Sequence, residues 1–341
     1  MIDPRLRRLR QALQTEGWRI WPALVNPHDH LELNHYPRLR YRPVYDDAHQ
    51  WGEDVDARLD SIPYAALRTH PLTDQLFIGG LKNLLCGATT VVQHGPLHRP
   101  LFAHDYPVRV VRRCAQAHSL HFSTPDEIRR AKRRTPHGGR FYIHLAEGTS
   151  ARARAEYDQL LSLGCVDERT VIIHGVGLSP AQAQDARQRG VVLVSCPSTN
   201  AFLLKAYADL TPWGEAWCLG SDSRLTADGD LLDEAHHLRD QGFYDGDWPA
   251  LLSERPRRLL GLLPTANDWL VLPPHVTLPR RTDLALVVRE GRALFGLPEL
   301  LRRASVSPEL VQLDGQLRAL CPQLARRLKA CTLSLEGLSF V

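Results

Sequence analysis

Trp21-Pro22-Ala23-Leu24-Val25-Asn26-Pro27-His28-Asp29-His30 decides how this chain is read. An apolar run of strand length ends in two histidines spaced two residues apart. Alternate residues of a strand face the same side, so His28 and His30 can converge on one point at its C-terminal end. Two imidazoles held that way make half of a transition-metal site.

Working outward, the same apolar pattern recurs over 88–94, 108–113, 140–146, 169–174, 190–195 and 216–221. Charged, helix-periodic stretches separate these runs, among them 151–164 and 179–189. Ser179-Pro180 reads as an N-cap followed by proline at the first helical position, and Gly190 as the stop. Strand–helix alternation predicts a parallel sheet, and the number of units over about 250 residues predicts an α/β fold of the (β/α)8 TIM-barrel type. Between His94 and Arg140 the pattern thins. It offers the 108–113 strand, a short strand over 118–123 and one helix over 124–134. Residues 268–295 read as antiparallel strands turning at Glu290-Gly291. The expected division is an N-terminal segment 1–20, a metal-binding barrel 21–267, a small, reduced β-sandwich 268–297 and a C-terminal helical tail 298–341. Only 27 residues precede His28, so the appended sheet is expected to be small.

Composition narrows the function class. A hydrophobic share of 43% with 23% charged residues fits a soluble globular enzyme. No apolar run reaches the roughly 20 residues that cross a bilayer. The basic N-terminus has no apolar run behind it and does not read as a secretory signal. Seven scattered cysteines without a CxxC pair read as reduced thiols, and so as a cytoplasmic protein. Of the 42 basic residues 38 are arginine. They interleave with apolar residues at helical spacing and read as solvated faces, with no nucleic acid and no membrane as partner. The expected partner is a small-molecule substrate, with a homodimer left open.

A barrel places its chemistry at the C-terminal ends of its strands. His28 and His30 end the first strand, His144 ends 140–143, His174 ends 170–173, and Asp222 follows 217–221. With these residues in hand, the sequence resembles the metal-dependent amidohydrolase superfamily, in the branch of cytosine- and adenosine-type deaminases and chlorotriazine hydrolases. The ordered pieces are His28-Asp29-His30, Gly87-Ala88-Thr89-Thr90-Val91-Val92, His144-Leu145-Ala146-Glu147, His174-Gly175-Val176-Gly177-Leu178-Ser179, Cys196-Pro197-Ser198-Thr199-Asn200 and Leu219-Gly220-Ser221-Asp222-Ser223.

The resemblance implies one divalent metal ion per chain, Zn2+ or Fe2+, held by His28, His30, His144 and Asp222. It implies Glu147 as the proton shuttle, His174 as a hydrogen-bond partner of the attacking water or of the oxygen that gains charge, and Asp222 as a second proton acceptor. The two-metal members use a bridging lysine after the fourth strand. Here Lys132 is the only lysine between His94 and His144 and lies in a charged helical run, so one metal is expected. Candidate substrate-binding residues are Asn34, His35, Tyr36 and Trp51 on the long segment after the first strand, His94 and His98 after the second, and Asn200 and Ser223. Arg38 joins them at the mouth, and the many arginines suit a carboxylate-bearing substrate. The implied reaction is hydrolysis of a C–N bond other than a peptide bond, in a deaminase or amidohydrolase. Hydrolytic dechlorination and cyclic-amide hydrolysis use the same parts. A catalytically silent barrel acting as a binding protein is the alternative from another class.

Overall fold

The computed structural model describes residues 4–263 and 266–341. Residues 1–3 of the expected N-terminal segment, and 264–265 within the expected 21–267 region, lie outside the described residues. The strands, in chain order, are β1 (Arg19–Pro22), β2 (Leu24–Asp29), β3 (Ala88–Gln93), β4 (Arg109–Val110), β5 (Cys114–Ala117), β6 (Arg140–Leu145), β7 (Thr170–His174), β8 (Val192–Ser195), β9 (Trp217–Leu219), β10 (Trp269–Leu272), β11 (Leu286–Arg289), β12 (Arg292–Gly296), β13 (Glu309–Leu313), β14 (Gln316–Leu320) and β15 (Leu338–Phe340). The fold is mixed α/β. β2, β3 and β4 pair in parallel as one sheet, and β5 to β9 pair in parallel, in sequence order, as another.

Helices follow the parallel strands as the alternation requires, and their starts are written locally. Ser179 and Gln182 close a capping box on the helix Pro180–Gln188, and Thr124 with Glu127 does the same for Pro125–Arg133. The strands bury alternate residues on two faces. Phe141, Ile143 and Leu145 pack outward against the helices, while Tyr142, Val171, Ile173, Val192 and Val194 fill a separate inner cluster. His144 shares the inner face with Tyr142.

Two expectations give way here. The fourth parallel strand lies at Cys114–Ala117 and not over 118–123. Ser119 Oγ accepts the backbone N–H groups of His121 and Phe122, which folds that stretch into a turn. Nor are residues 298–341 a helical tail. They hold the helices Pro298–Arg303 and Pro322–Lys329 together with β13, β14 and β15. Asp314-Gly315, with φ of 49° and 77°, makes the tight turn that pairs Leu313 with Gln316. The result is a seven-stranded antiparallel sheet in the order β1-β10-β11-β12-β14-β13-β15, larger than the sequence suggests and drawn from both ends of the chain. The N-terminal helix Pro4–Thr15 buries Leu6, Leu9 and Leu13 against it.

Candidate active site

The parallel strands deliver five imidazoles and two carboxylates to one place. The His28 ring lies 5.0 Å from His30, 5.1 Å from His94 and His144, and 6.0 Å from His174, centroid to centroid. His30 Nε2 and His144 Nε2 are 3.3 Å apart. Asp222 Oδ1 stands 3.6 Å from His28 Nε2 and 3.7 Å from His30 Nε2. Glu147 Oε1 is 3.4 Å from His174 Nε2. Strict alternation would set His174 on the outer face with Ile172. A left-handed φ of 71° breaks the alternation there, and Asp222 has φ of 51°. Non-glycine residues in that region carry about 1–3 kcal/mol of strain each, and such strain clusters at functional sites.

Polar partners fix these groups from behind. His144 Nδ1 meets the His118 carbonyl at 2.8 Å, and His174 Nδ1 meets Asn200 Oδ1 at 2.9 Å. Thr199 and Thr226 hydroxyls donate to Asp222 Oδ2 at 3.0 and 3.2 Å. Beneath His28 and His30, the fully buried Asp29 carboxylate accepts from Asn34 and Asn83, each at 2.7 Å, and from Asn26 at 3.1 Å. The equally buried Lys82 Nζ reaches it at 3.0 Å from the helix Leu72–Leu85.

Electrostatics follow from burial. Desolvation lowers His28, takes His94 and His144 well below the ordinary imidazole value, and brings His174 down to about 4, so these rings are neutral and carry lone pairs. Burial opposes ionisation of Asp222, but His28, His30 and His174 around it prevail and hold its carboxyl far below the carboxylate range. Burial, followed by Asp222, Glu156 and Asp47, raises Glu147 well above the ordinary carboxyl value.

Both ring nitrogens of His28 are buried with no hydrogen-bond partner among the described residues, as is His94 Nδ1. An orphaned buried polar group costs about 1–3 kcal/mol, which a cation would relieve. His28, His30 and Asp222 form one group whose ligand atoms lie within 4.8 Å of one another, and His28, His94 and His144 form another. The donor set, several neutral imidazoles and one carboxylate, fits a zinc- or iron-type ion.

A cavity of about 690 Å3 opens above this cluster. Of the expected substrate-binding residues, Tyr36, Trp51, His94 and Ser223 line it. His94 also belongs to the imidazole cluster. Its Nε2 meets the Ala117 carbonyl at 3.1 Å, which leaves Nδ1 with the lone pair. Four others are placed elsewhere. Asn34 is buried beneath His30 on Asp29, and Asn200 stands behind His174. The His35 ring is held by the Leu67 carbonyl, and His98 is not among the lining residues. Among the described residues no arginine or lysine lines the cavity, so the expected carboxylate-binding mouth is absent. Arg38 turns instead to Asp228 and the Thr226 carbonyl.

Sequence reasoning passed over His49, Glu156 and Phe122, which also line the cavity. Glu156 Oε1 pairs with His49 Nε2 at 2.6 Å, and its Oε2 accepts the Ala146 N–H at 2.6 Å. His49 and Glu156 reach inward from helices and Phe122 from a turn, so none leaves a strand-end signature that a spacing rule would have found.

No protein-family model and no curated protein matches the chain. Solved structures do. An adenosine deaminase from Xanthomonas campestris with bound zinc is 14% identical with a TM-score of 0.66, covering 81% of this chain and 80% of that one. Atrazine chlorohydrolase TrzN from Arthrobacter aurescens TC1, complexed with zinc, is 14% identical with a TM-score of 0.64, covering 82% and 84%. Guanine deaminase from E. coli is 17% identical with a TM-score of 0.61, covering 82% and 84%. At these identities the likeness is one of fold alone.

Proposed function

We propose that this chain is a mononuclear metal-dependent hydrolase that cleaves a C–N bond in an amidine-like or heteroaromatic amine. The convergence of His28, His30, His144 and Asp222 beneath Glu147 and His174 carries this reading. The eight parallel strands are read as one closed barrel. Its seam is supported by the backbone N–H groups of Ser221 and Asp222, which donate to the His28 carbonyl at 3.2 and 3.1 Å.

His28, His30, His144 and Asp222 would hold one Zn2+ or Fe2+, with His94 offering a further nitrogen. Such an ion acidifies water and polarises the bond under attack. The residues do the rest. With Nδ1 donating to Asn200, His174 keeps an acceptor lone pair on Nε2, which can orient a water O–H or take the Glu147 proton. This favours the water-orienting role over donation to a charged oxygen. Glu147, with its raised carboxyl, can accept the water's proton and deliver it to the leaving nitrogen. Asp222 stays ionised and is held still by Thr199 and Thr226.

The test is metal content of the protein purified without added metal, beside His144→Ala and Asp222→Ala variants. About one ion per chain, lost from both variants, supports the site as drawn. No ion after reconstitution removes this reading and advances the binding-protein alternative. The likeness to a chlorohydrolase alongside two deaminases favours dechlorination as the second reading. Ammonia release against chloride release from paired amino- and chloro-heterocycles separates the two.

A further inference from the structure

The connection between β2 and the helix Leu72–Leu85 runs over 30–71, far longer than the 2–6 residues usual between a strand and its helix. It does not wander. Leu39 N–H donates to the Leu225 carbonyl at 3.0 Å and Tyr45 N–H to the Leu203 carbonyl at 2.9 Å. Ala48 N–H donates to the carbonyl of Glu147 itself at 2.9 Å, and Thr149 N–H returns to the Asp46 carbonyl at 2.7 Å. The segment is a roof stapled to the segments that follow three other strands, one of them the loop bearing Glu147.

Its underside is aromatic and apolar. Tyr36, Trp51, Val55, Leu59 and Tyr64 from the roof meet Phe122 across the cavity. The indole N–H of Trp51 is consumed by the Leu39 carbonyl at 3.1 Å, so the ring presents only its face. Tyr64 is different. Its ring lines the cavity, yet its hydroxyl is buried without a hydrogen-bond partner. The charge of the lining is one-sided, with Glu32, Asp56, Glu147, Glu156 and Asp222 and, among the described residues, no arginine or lysine.

We infer that the roof forms a second compartment of the site, which takes an aromatic or branched apolar substituent of a neutral or cationic substrate and rejects anionic ones. The inference rests on the hydrolase reading for the word substrate, but the compartment itself does not need the metal. A cavity of about 690 Å3 exceeds what a small heteroaromatic amine fills, and apolar walls reward only apolar surface. A carboxylate or phosphate entering the roof side of it would lose its hydration and find acidic residues but, among the described residues, no arginine or lysine to pair with.

A matched pair of dyes tests this. N-phenyl-1-naphthylamine and 8-anilinonaphthalene-1-sulfonate share one aromatic body and differ by a sulfonate. Their fluorescence on binding is titrated against the intact protein, before and after zinc loading. The expected result is neutral-dye binding at least tenfold tighter than sulfonate binding, weakened about tenfold in Trp51→Ala, the scale of one lost aromatic contact. Leu59→Lys should narrow the preference by adding a cation, and His28→Ala should lose metal while keeping dye binding. Trp51→Phe guards against loss of the roof in the alanine variant and should fall between the two. Equal or tighter sulfonate binding, or neutral-dye affinity unchanged in both Trp51 variants, overturns the compartment. Metal retained with no dye preference sinks this inference alone. Dye preference with no metal sinks the hydrolase reading and leaves a ligand compartment.

Discussion

The ends of the parallel strands and the roof over 30–71 enclose one cavity but are built on opposite principles. At the strand ends Asp222, His174 and Asp29 are buried and held by named polar partners: Asp222 by two threonines, His174 by Asn200, and Asp29 by three asparagines and a lysine. The roof brings mostly ring faces and aliphatic side chains to the cavity, with the Trp51 N–H turned to its own backbone, the Tyr64 hydroxyl unpartnered and His49 paired with Glu156. Fixed dipoles aimed at a reacting centre cost no reorganisation when a reaction occurs, so the proposed chemistry is assigned to the first region. Apolar contact is tolerant of shape, so the second can set substrate preference without disturbing the first.

Breaking the strand-end region should therefore cost far more than breaking the roof. Glu147→Gln should lower kcat by about 10²–10⁴-fold, the usual contribution of a positioned acid–base group, with metal content unchanged. Full turnover in that variant would strip Glu147 of its role. Lys82→Met leaves the buried Asp29 carboxylate without its cation and should cost about 3–5 kcal/mol of stability in urea unfolding. Tyr64→Phe, in the roof, removes a buried hydroxyl that has no hydrogen-bond partner and should not destabilise the fold, raising stability by up to about 1–3 kcal/mol. If Lys82→Met is no more costly than Tyr64→Phe, the contrast between the two regions collapses.

The same contrast explains what the sequence made legible. Strand-end residues announce themselves because a strand of alternating faces stops at a fixed point; His28, His30 and His144 converge as that rule requires, and His174 and Asp222 reach the same point through left-handed backbone. The pairing of Asp29 with Gln93 in the neighbouring strand places His94 beside His28, a register that no single strand reveals. Lys82, Asn83 and Glu156 come from helices and enter through tertiary packing, so their spacing carries no signal. In the roof, Tyr36 and Trp51 were legible as aromatic residues on an overhanging segment, whereas His35 and Asn34 face its own interior and the floor. The Asp314-Gly315 pair between alternating leucines is a hairpin signal that the amphipathic reading of 298–341 overrode.

A last expected effect sharpens the comparison through pH. Glu234, on the helix Leu231–Asp240, is buried against the start of the helix Pro197–Leu204, where it accepts the Ser198 N–H at 3.0 Å and the Ser198 hydroxyl. That helix start carries Thr199 and Asn200, the partners of Asp222 and His174, so Glu234 belongs to the strand-end framework. Burial pushes its carboxyl from 4.5 up to about 8. Between those values the folded chain holds a proton that the unfolded chain has released, so this group's stabilising contribution is complete below about 4.5 and is lost as pH rises through about 8. Asp230, raised to about 7 chiefly by burial, acts in the same direction. Glu234→Gln mimics the protonated form at every pH. Its urea midpoint should fall less steeply than that of the unaltered protein between pH 5 and pH 9, with the variant the more stable at the alkaline end. Trp51→Phe, in the roof and remote from Glu234, should leave the slope unchanged. Parallel curves for Glu234→Gln and the unaltered protein would mean that Glu234 is already ionised in the folded state. The start of that helix would then be held by a charge, and the framework beneath Asp222 would be more polar than drawn.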